Sequence, residues 1–327
     1  MPDTAAAIRF FRWDDLPRLV EITNHSADID HADERYTPET LREELEGFSQ
    51  PERDCFVAVD AAGCPLGYAY VEWRDDPGRL WGYGWGSVHP DHRRRGIGVR
   101  LVQAADAHFA RRAAALEVGE RAVFIQRFIG STNAGELAIV RQQGYAALRS
   151  SYRMQIALDR PFPPAALPDG FALRPFEVER HGRAVYQADT AAFLDSPSRS
   201  EPVPYEEWHA RQIETKVFDP ALWLVAWVGD EVAGFCYSAP WGEDQPDLGW
   251  IAQLGVLTGW RRHGLGSALL RQSIHLLQQR GFERVALAVR ADNPRALAIY
   301  ERVGMSIYSH FIHYRRVLRG DASRIVS

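Results

Sequence analysis

The chain has 327 residues, a length that exceeds one ordinary hydrophobic core and favours two domains. Hydrophobic residues make up 46% of it and charged residues 25%, a balance that excludes a disordered or fibrous protein. The formal net charge of -5 gives no global attraction for nucleic acid, so that partner is not expected and any polyanionic ligand requires a local basic cluster.

The N-terminal segment and the cysteines bear on where the chain works. Residues 1–11 contain no basic region followed by an apolar core, and no apolar run approaches the roughly 18 residues of a membrane helix. Cys55, Cys64 and Cys236 form no C-x-x-C pair, which fits a reducing compartment. The histidines lack H-E-x-x-H or another metal-ligand spacing. The sequence therefore predicts a cytoplasmic protein with no metal and no membrane association.

Three landmarks occur twice in the same order, which indicates duplication of one domain of roughly 150 residues. The first is a short strand-like opening, the second an arginine- and glycine-rich string, and the third an asparagine-to-glycine segment that contains Leu-Ala-Ile. In chain order the paired copies are 8–11 and 173–176, 93–98 and 261–266, and 133–144 and 293–304.

A proline-rich segment separates the two copies. Residues 159–168 contain four prolines, which disfavour regular helix or strand. We therefore predict an N-terminal domain at 1–158, a linker at 159–168 and a C-terminal domain at 169–327.

The elements of the second copy follow from its residue pattern. Residues 223–227 and 232–237 contain β-branched and aromatic residues on both sides of a Gly229-Asp230 turn, which predicts a hairpin. A strand at 250–256, a helix at 267–280 and a strand at 285–289 are predicted next. Asn293 then caps a helix that ends at Gly304. This order predicts an α+β fold in which an antiparallel meander leads into a βαβ-like unit.

The arginine- and glycine-rich string carries the clearest chemistry. A basic-x-x-Gly-x-Gly segment between a strand and a helix places backbone N–H groups in a concave loop, a geometry that binds phosphate. A dinucleotide-binding loop would need a third glycine, where this chain has no match, and a P-loop would need Gly-Lys-Ser/Thr. A solvated basic turn is the remaining alternative, and two copies in matched contexts favour the phosphate loop.

These strings resemble the GNAT superfamily of acyl-CoA-dependent N-acetyltransferases, and the resemblance covers nearly the whole chain in two units. The pyrophosphate loop of that superfamily, Arg/Gln-x-x-Gly-x-Gly/Ala, is matched in both copies. Its later motif, Asn-x-x-Ala-x-x-x-Tyr-x-x-x-Gly-Phe, is matched in the second copy with Met305 in place of the last residue; the matching residues are Asn293, Ala296, Tyr300 and Gly304. The tandem arrangement is similar to that of mycothiol synthase.

The resemblance implies two tandem GNAT-like domains, each a mixed, mostly antiparallel sheet flanked by helices, with acetyl-CoA as cosubstrate. In the C-terminal domain it implies cofactor binding by Leu254, Val256, Arg261, Arg262, His263, Gly264, Leu265, Gly266, Ser267 and Asn293. In the N-terminal domain the corresponding residues are Val88, Arg93, Arg94, Arg95, Gly96, Ile97, Gly98 and Asn133. For Asn293, a helix N-cap is an equally good interpretation, and the two roles are compatible.

Acetyl transfer to an amine needs an oxyanion donor, a base for the ammonium proton and an acid for the departing thiolate. Segment 253–256 resembles the splayed GNAT strand whose backbone holds the pantetheine and the acetyl oxygen. Tyr300 is the candidate acid, and a core aromatic is the alternative interpretation. No glutamate lies on 250–256, so Asp247 is the candidate base. Glu243 or Asp244 acting through water are alternatives, and a surface carboxylate competes with the catalytic interpretation of Asp247.

Catalysis is predicted in the C-terminal domain. The matched spacing aligns Val140 of the first copy with Tyr300 of the second, and valine has no proton to give. The N-terminal domain therefore keeps the glycine-rich loop without the usual acid.

Two classes of function remain open. One is an N-acetyltransferase acting on a primary amine of a small molecule or peptide, which the Tyr300 motif favours. The other is a non-catalytic acyl-CoA-binding sensor or interaction module.

An acidic segment hints at a cationic substrate, although a solvated helix face explains it equally well. The segment contains Asp195, Glu201, Glu206, Glu207 and Glu214, near Tyr205 and Trp208. Because many single-domain GNAT proteins dimerise, the fused pair predicts a pseudo-dimeric monomer.

Overall fold

The structure is a computed structural model, and it describes residues 6–30, 35–48, 50–76, 78–194, 203–242 and 245–321. The chain divides into two compact units. Unit 1 contains the residues up to Ser150 together with a segment that begins at His310, and unit 2 contains Ser151–Ser309. No helix in the described ranges has the length and apolar character needed to cross a bilayer.

The elements follow one another in a repeated order of strands and helices. The first copy contains β1 (Ala7–Phe10), α1 (Leu16–Asp30), α2 (Pro38–Phe48), α3 (Pro51–Asp54), β2 (Cys55–Val59), β3 (Pro65–Asp76), β4 (Arg79–Val88), α4 (Ile97–Ala114), β5 (Ala122–Gly130), α5 (Ala134–Gln142) and β6 (Ala146–Ala157). The second contains β7 (Ala172–Arg174), α6 (Val178–Phe193), α7 (Tyr205–Gln212), β8 (Trp223–Val228), β9 (Glu231–Pro240), β10 (Leu248–Val256), α8 (Leu265–Gln279), β11 (Arg284–Arg290), α9 (Pro294–Val303) and β12 (Ser306–Arg319).

Each unit has a mixed sheet with one parallel pair. In unit 1 the strand order is β1-β2-β3-β4-β5-β12, and in unit 2 it is β7-β8-β9-β10-β11-β6. Only β4 with β5, and β10 with β11, run parallel among these neighbours, because α4 and α8 carry the chain back across the sheet. The predicted α+β class, with mostly antiparallel sheets flanked by helices, is confirmed.

The two faces of the unit 2 sheet are covered by different helices. On one face, α8 buries a stripe of residues spaced three to five apart, which comprises Leu265, Leu269, Ile274 and Leu277. On the other face, α6 and α7 pack against aromatic side chains of β8 and β9; this cluster includes Val185, Trp208, Trp223, Phe235 and Tyr237. The residues of β10 therefore point toward the α8 face or toward the α6 face, and their alternation is interrupted by a register shift between Ile251 and Gln253.

The compact units differ from continuous domains at their edges. Strand β6 begins in unit 1 and ends in unit 2, where it pairs with β11. Strand β12 ends in unit 1, where it pairs with β5. Each of these two strands thus pairs with a strand of the other copy. The predicted boundaries 1–158 and 169–327 did not include this pairing, because the partner of a strand is decided by tertiary structure and not by its own sequence. Residues 159–168 contain no helix or strand and belong to unit 2.

A buried charged cluster distinguishes the core of unit 1. Arg127 on β5 donates to Asp106 of α4 at 2.9 Å and to the Tyr145 hydroxyl at 3.2 Å. A Cβ added at Gly84 of β4 would lie 2.5 Å from the Arg127 guanidinium carbon, so the cluster requires glycine there. At the repeat-matched positions unit 2 has the apolar side chains of Ile274, Leu287 and Met305.

Candidate active site

Strands β10 and β11 separate halfway along their length. Their parallel pairing ends at Ile251 and Leu287, and β10 has a bulge between Ile251 and Gln253. Beyond the bulge, the Leu257 N–H donates to the carbonyl of Ala233 on β9 at 3.0 Å. Since antiparallel pairing alternates, the backbone groups of Leu254 and Val256 point away from β9, into the gap left by β11. The gap is an open, polar-edged slot in the sheet.

A left-handed loop follows β10 and opens α8. Arg262 has φ 68° and Gly264 has φ 83°. Left-handed backbone costs a non-glycine residue about 1–2 kcal/mol, so Arg262 is strained. The first backbone hydrogen bond of α8 runs from the Ala268 N–H to the Gly264 carbonyl. The N–H groups of Leu265, Gly266 and Ser267 therefore lie outside the helical ladder. These groups form a concave surface suited to an anion, and the site fits a pyrophosphate by that geometry.

The arginine that opens the loop is turned inward. Arg261 donates from Nε to the Val256 carbonyl at 3.0 Å and from Nη2 to the Ala192 carbonyl of α6 at 3.1 Å. These bonds tie the end of β10, the loop and α6 together. The Arg261 side chain thus positions the loop, and the anion-facing groups are backbone N–H groups.

The other loop residues have different environments. Arg262 and His263 are exposed, and the His263 ring lies 6.4 Å from that of Phe171. Leu265 is 1% exposed and belongs to the core, so it offers the site only its backbone. A Cβ at Gly266 would sit 3.4 Å from Val256, which shows how closely the helix approaches the strand.

Unit 1 repeats this loop geometry. Arg94 has φ 63° and Gly96, before Ile97, has φ 81°. Arg93 donates to the Val88 carbonyl at 3.2 Å and makes a bidentate pair with Asp30 of α1 at 2.7 and 2.8 Å. The same strained backbone therefore occurs in both units. Two further predicted residues are Arg95, which donates to the Asp91 carbonyl at 3.2 Å, and Gly98, where a Cβ would lie 3.0 Å from Ile139.

The two predicted asparagines are helix N-caps. The Asn293 side chain accepts from the Ala296 N–H at 3.1 Å, and that of Asn133 accepts from the Glu136 N–H at 3.1 Å. The capping interpretation of Asn293 is confirmed, Asn133 caps its helix in the same way, and a contact with the cofactor stays a prediction for both.

Tyr300 lies on α9 and is 9% exposed, within the core cluster on the α8 face. Burial, together with the nearby Cys236 thiol, raises the pKa of Tyr300 well above its usual value. Its hydroxyl accordingly stays protonated across neutral pH. Cys236 pairs in register with Leu254, so Tyr300 is close to the half of β10 that has separated from β11. In unit 1 the matched Val140 is fully buried.

Asp247 lies at the opposite end of β10 from the loop. It precedes Leu248, so Val256 is roughly 30 Å away along the strand at about 3.3 Å per residue. Its carboxylate accepts from Arg284 at 2.7 and 3.1 Å, and this hydrogen-bonded pair lowers the pKa of Asp247. The structure does not bring Asp247 together with the loop and Tyr300, which corrects its selection as the base. The alternatives Glu243 and Asp244 lie outside the described residues.

We expect Asp247→Asn to leave kcat within about twofold of the wild type and to cost at most about 1 kcal/mol of stability, because its ion pair with Arg284 is partly exposed. Steady-state kinetics and thermal unfolding measure the two quantities. A loss of kcat of a hundredfold or more without unfolding would restore Asp247 as the base.

The acidic segment is only partly described, because Asp195 and Glu201 lie outside the described ranges. The remaining carboxylates each have a basic neighbour: Glu206 with Arg183, Glu207 with Arg211 and Glu214 with His209. Trp208 is 2% exposed and belongs to the core. Within the described part of the chain, no three His, Cys, Asp or Glu side chains are grouped so as to hold a metal ion.

Residues 16–127 and 183–305 match the acetyltransferase (GNAT) family, one match in each half of the chain. The chain belongs to the GNAT family. As a GNAT protein it is an acyl-CoA-dependent acetyltransferase. Its relatives include a mycothiol acetyltransferase of Thermobispora bispora, 32% identical over 76% of this chain and 79% of the relative. A mycothiol acetyltransferase of Salinispora arenicola is 29% identical over 96% of this chain and 98% of its own.

Solved GNAT structures have the same tandem fold. A GCN5-related N-acetyltransferase from Sphaerobacter thermophilus is similar with a TM-score of 0.82 at 27% identity, over 98% of both chains. A tandem GNAT protein from the clavulanic acid biosynthesis pathway has a TM-score of 0.70 over 97% of this chain and 99% of its own. At 18% identity, the second likeness concerns the fold alone.

One buried polar contact beside the separated half of β10 was not predicted from the sequence. Asp189 of α6 is 1% exposed and hydrogen-bonds Gln253 of β10. The available signal was a carboxylate on the apolar stripe formed by Val185, Ala188 and Ala192. Its partner lies 64 positions away, beyond the reach of local spacing.

Proposed function

We propose that this chain transfers an acetyl group from acetyl-CoA to a primary amine of a small molecule, with catalysis in unit 2. The observation that carries the proposal is the placement of Tyr300. Its buried, protonated side chain lies beside the separated half of β10, whereas unit 1 has Val140 at the matched position. The name mycothiol acetyltransferase, which the relatives bear, favours a small-molecule acceptor.

The proposed binding groups for acetyl-CoA lie in two places, the loop that opens α8 and the slot beside β10. The N–H groups of Leu265, Gly266 and Ser267 face the pyrophosphate, and the backbone of Leu254 and Val256 holds the pantetheine arm and the acetyl oxygen. The amine nitrogen bonds to the acetyl carbon as the carbon–sulfur bond breaks. The thiolate takes the proton of Tyr300, the amine gives up a proton to water, and the Tyr300 oxygen regains a proton from solvent before the next turnover.

Unit 1 keeps the left-handed loop and lacks the acid. Its loop strain at Arg94 matches that at Arg262, so we propose that unit 1 retains an anion-binding backbone without turnover. The chain would then contain one catalytic unit and one supporting unit, as a pseudo-dimeric monomer.

The test is acetyl transfer by the wild-type chain with acetyl-CoA and a panel of D-glucosamine, methylamine, L-lysine and spermidine. We expect at least one amine to yield CoA and N-acetyl product in equal amounts, measured by mass spectrometry. Acetyl-CoA binding by calorimetry without any product would instead favour the non-catalytic acyl-CoA-binding module.

A further inference from the structure

Asp189 is a buried carboxylate with two defined donors. It lies on α6 and accepts from the Trp208 indole N–H at 2.6 Å through one oxygen. Its other oxygen accepts from the Gln253 side-chain amide at 2.5 Å. Trp208 and Asp189 are almost fully buried, whereas Gln253 is half-buried. The pair therefore joins a sealed part of the core to a partly open position on β10.

The carboxylate fixes which way the Gln253 amide points. The amide turns its NH₂ group toward Asp189, whose carboxyl oxygen accepts the hydrogen bond. The amide oxygen, Oε1, then faces away from Asp189. Within the described residues, no donor bonds to Oε1. Gln253 thus presents a fixed hydrogen-bond acceptor.

Gln253 stands where an acceptor amine must approach. It is the first paired residue after the β10 bulge and precedes Leu254, whose backbone faces the slot. The α8 face beside Leu254 is filled by the core that contains Tyr300. The Gln253 side chain lies on the opposite face, next to the exposed Ala252. An amine attacking an acetyl group held in the slot would reach it from the Gln253 side.

A second polar group on that face lacks a partner. Tyr237 pairs in register with Gln253, is 1% exposed, and its hydroxyl has no hydrogen bond within the described ranges. Asp189 is close enough to contribute, after burial, to raising the pKa of Tyr237. A buried hydroxyl without a partner is unfavourable, so water or a polar ligand atom is expected beside it.

We infer that Gln253 orients the acceptor amine through its Oε1 atom, which accepts a hydrogen bond from the amine N–H, and that Asp189 is the positioning residue that holds the amide in this orientation. The inference rests on the proposed function and deepens it. It assigns recognition of the nucleophile to the α6 face, while Tyr300 serves the leaving group from the α8 face.

The Asp189→Asn variant tests the orientation. The substituted side chain keeps an oxygen for the Trp208 indole and offers NH₂ to Gln253, so the Gln253 amide turns over and presents its own NH₂ to the amine. With D-glucosamine, or whichever panel amine the wild type acetylates, we expect kcat/KM for the amine to fall at least about tenfold, the loss typical of one hydrogen bond to a charged group. The affinity for acetyl-CoA should not change, since that ligand is held from the slot and the loop.

The reciprocal double variant restores the arrangement. In Asp189→Asn with Gln253→Glu, the asparagine NH₂ bonds one glutamate oxygen and the other oxygen faces the amine. We expect it to recover most of the amine kcat/KM, whereas Gln253→Glu alone juxtaposes two carboxylates and stays impaired. Asp219→Asn, which alters an exposed aspartate paired with Arg280, is the matched control and should behave as the wild type.

The outcomes separate the two claims. An active wild type whose amine KM and kcat/KM are unchanged by Asp189→Asn overturns the inference and leaves the proposed function standing. Equal losses for the amine and for acetyl-CoA, tracking a lower Tm, also overturn it, because they indicate a structural role only. A wild type that acetylates none of the amines overturns the proposed function and this inference together.

Discussion

Tyr300→Phe is expected to lower kcat by about 10²–10⁴-fold, the usual contribution of a general acid. Phenylalanine keeps the buried ring of α9 and removes only the hydroxyl, so the fold and the affinity for acetyl-CoA should change little. Steady-state kinetics with an acetylated amine gives kcat, and calorimetry gives the acetyl-CoA affinity. Since burial raises the pKa of Tyr300, its ionisation should not limit the rate below about pH 10.

The matched control lies in unit 1. Val140→Ala removes two methyl groups from the core at the position that corresponds to Tyr300, and it should leave kcat nearly untouched while lowering Tm. Full activity in Tyr300→Phe, combined with loss of activity in Gly96→Asp, would place the active site in unit 1 and contradict the proposal.

Gly264→Asp is expected to abolish acetyl-CoA binding in unit 2. Space is available for a Cβ, because the nearest atom, of Pro168, is 3.8 Å away. The effect comes from the charge: a carboxylate would enter the positive end of α8, where the N–H groups outside the helical ladder are proposed to bind the pyrophosphate. The φ of 83° adds strain of about 1–2 kcal/mol for any residue with a Cβ. Isothermal calorimetry measures the loss as a reduced affinity and stoichiometry.

Gly281→Asp separates charge from strain. Gly281 has φ 89°, has open space around a Cβ, and follows the other end of α8. The variant carries the same substitution and a similar backbone penalty away from the loop, so it should bind acetyl-CoA like the wild type. Unchanged stoichiometry and affinity for acetyl-CoA in Gly264→Asp would contradict the assignment of this loop as the pyrophosphate site. If both variants bind acetyl-CoA more weakly, the cause is a loss of folding stability and not the charge at the loop.

The two units share one loop pattern and differ in their cores. Both keep a left-handed arginine and an inward-turned arginine that bonds the end of the preceding strand, through Arg261 with Val256 and Arg93 with Val88. Unit 2 has an apolar core around Tyr300, and unit 1 has the Arg127 cluster and Val140. The loop geometry is thus common to two units whose cores differ, so it does not depend on the residues around Tyr300.

The sequence by itself determined the features that depend on neighbouring residues. The N-cap at Asn293 and the hairpin of β8 and β9 were predicted correctly, and both glycine-rich strings lie between a strand and a helix as predicted, because turn, cap and strand preferences act over a few positions. The repeated landmarks also predicted two domains of one kind. Their similarity to the GNAT motifs predicted the family and the use of acetyl-CoA.

Only the tertiary structure decided which distant groups meet. Sequence spacing could not show that β6 and β12 pair outside their own copies, because strand edges choose partners in space. Nor could it show that Asp247 is held by Arg284 at the far end of β10, or that Asp189 of α6 reaches Gln253 on the sheet face that α6 covers. Ion pairs and buried hydrogen bonds form between side chains whose separation in the chain has no fixed relation to their distance. The candidate loop was therefore predictable, and the acceptor side of the site was not.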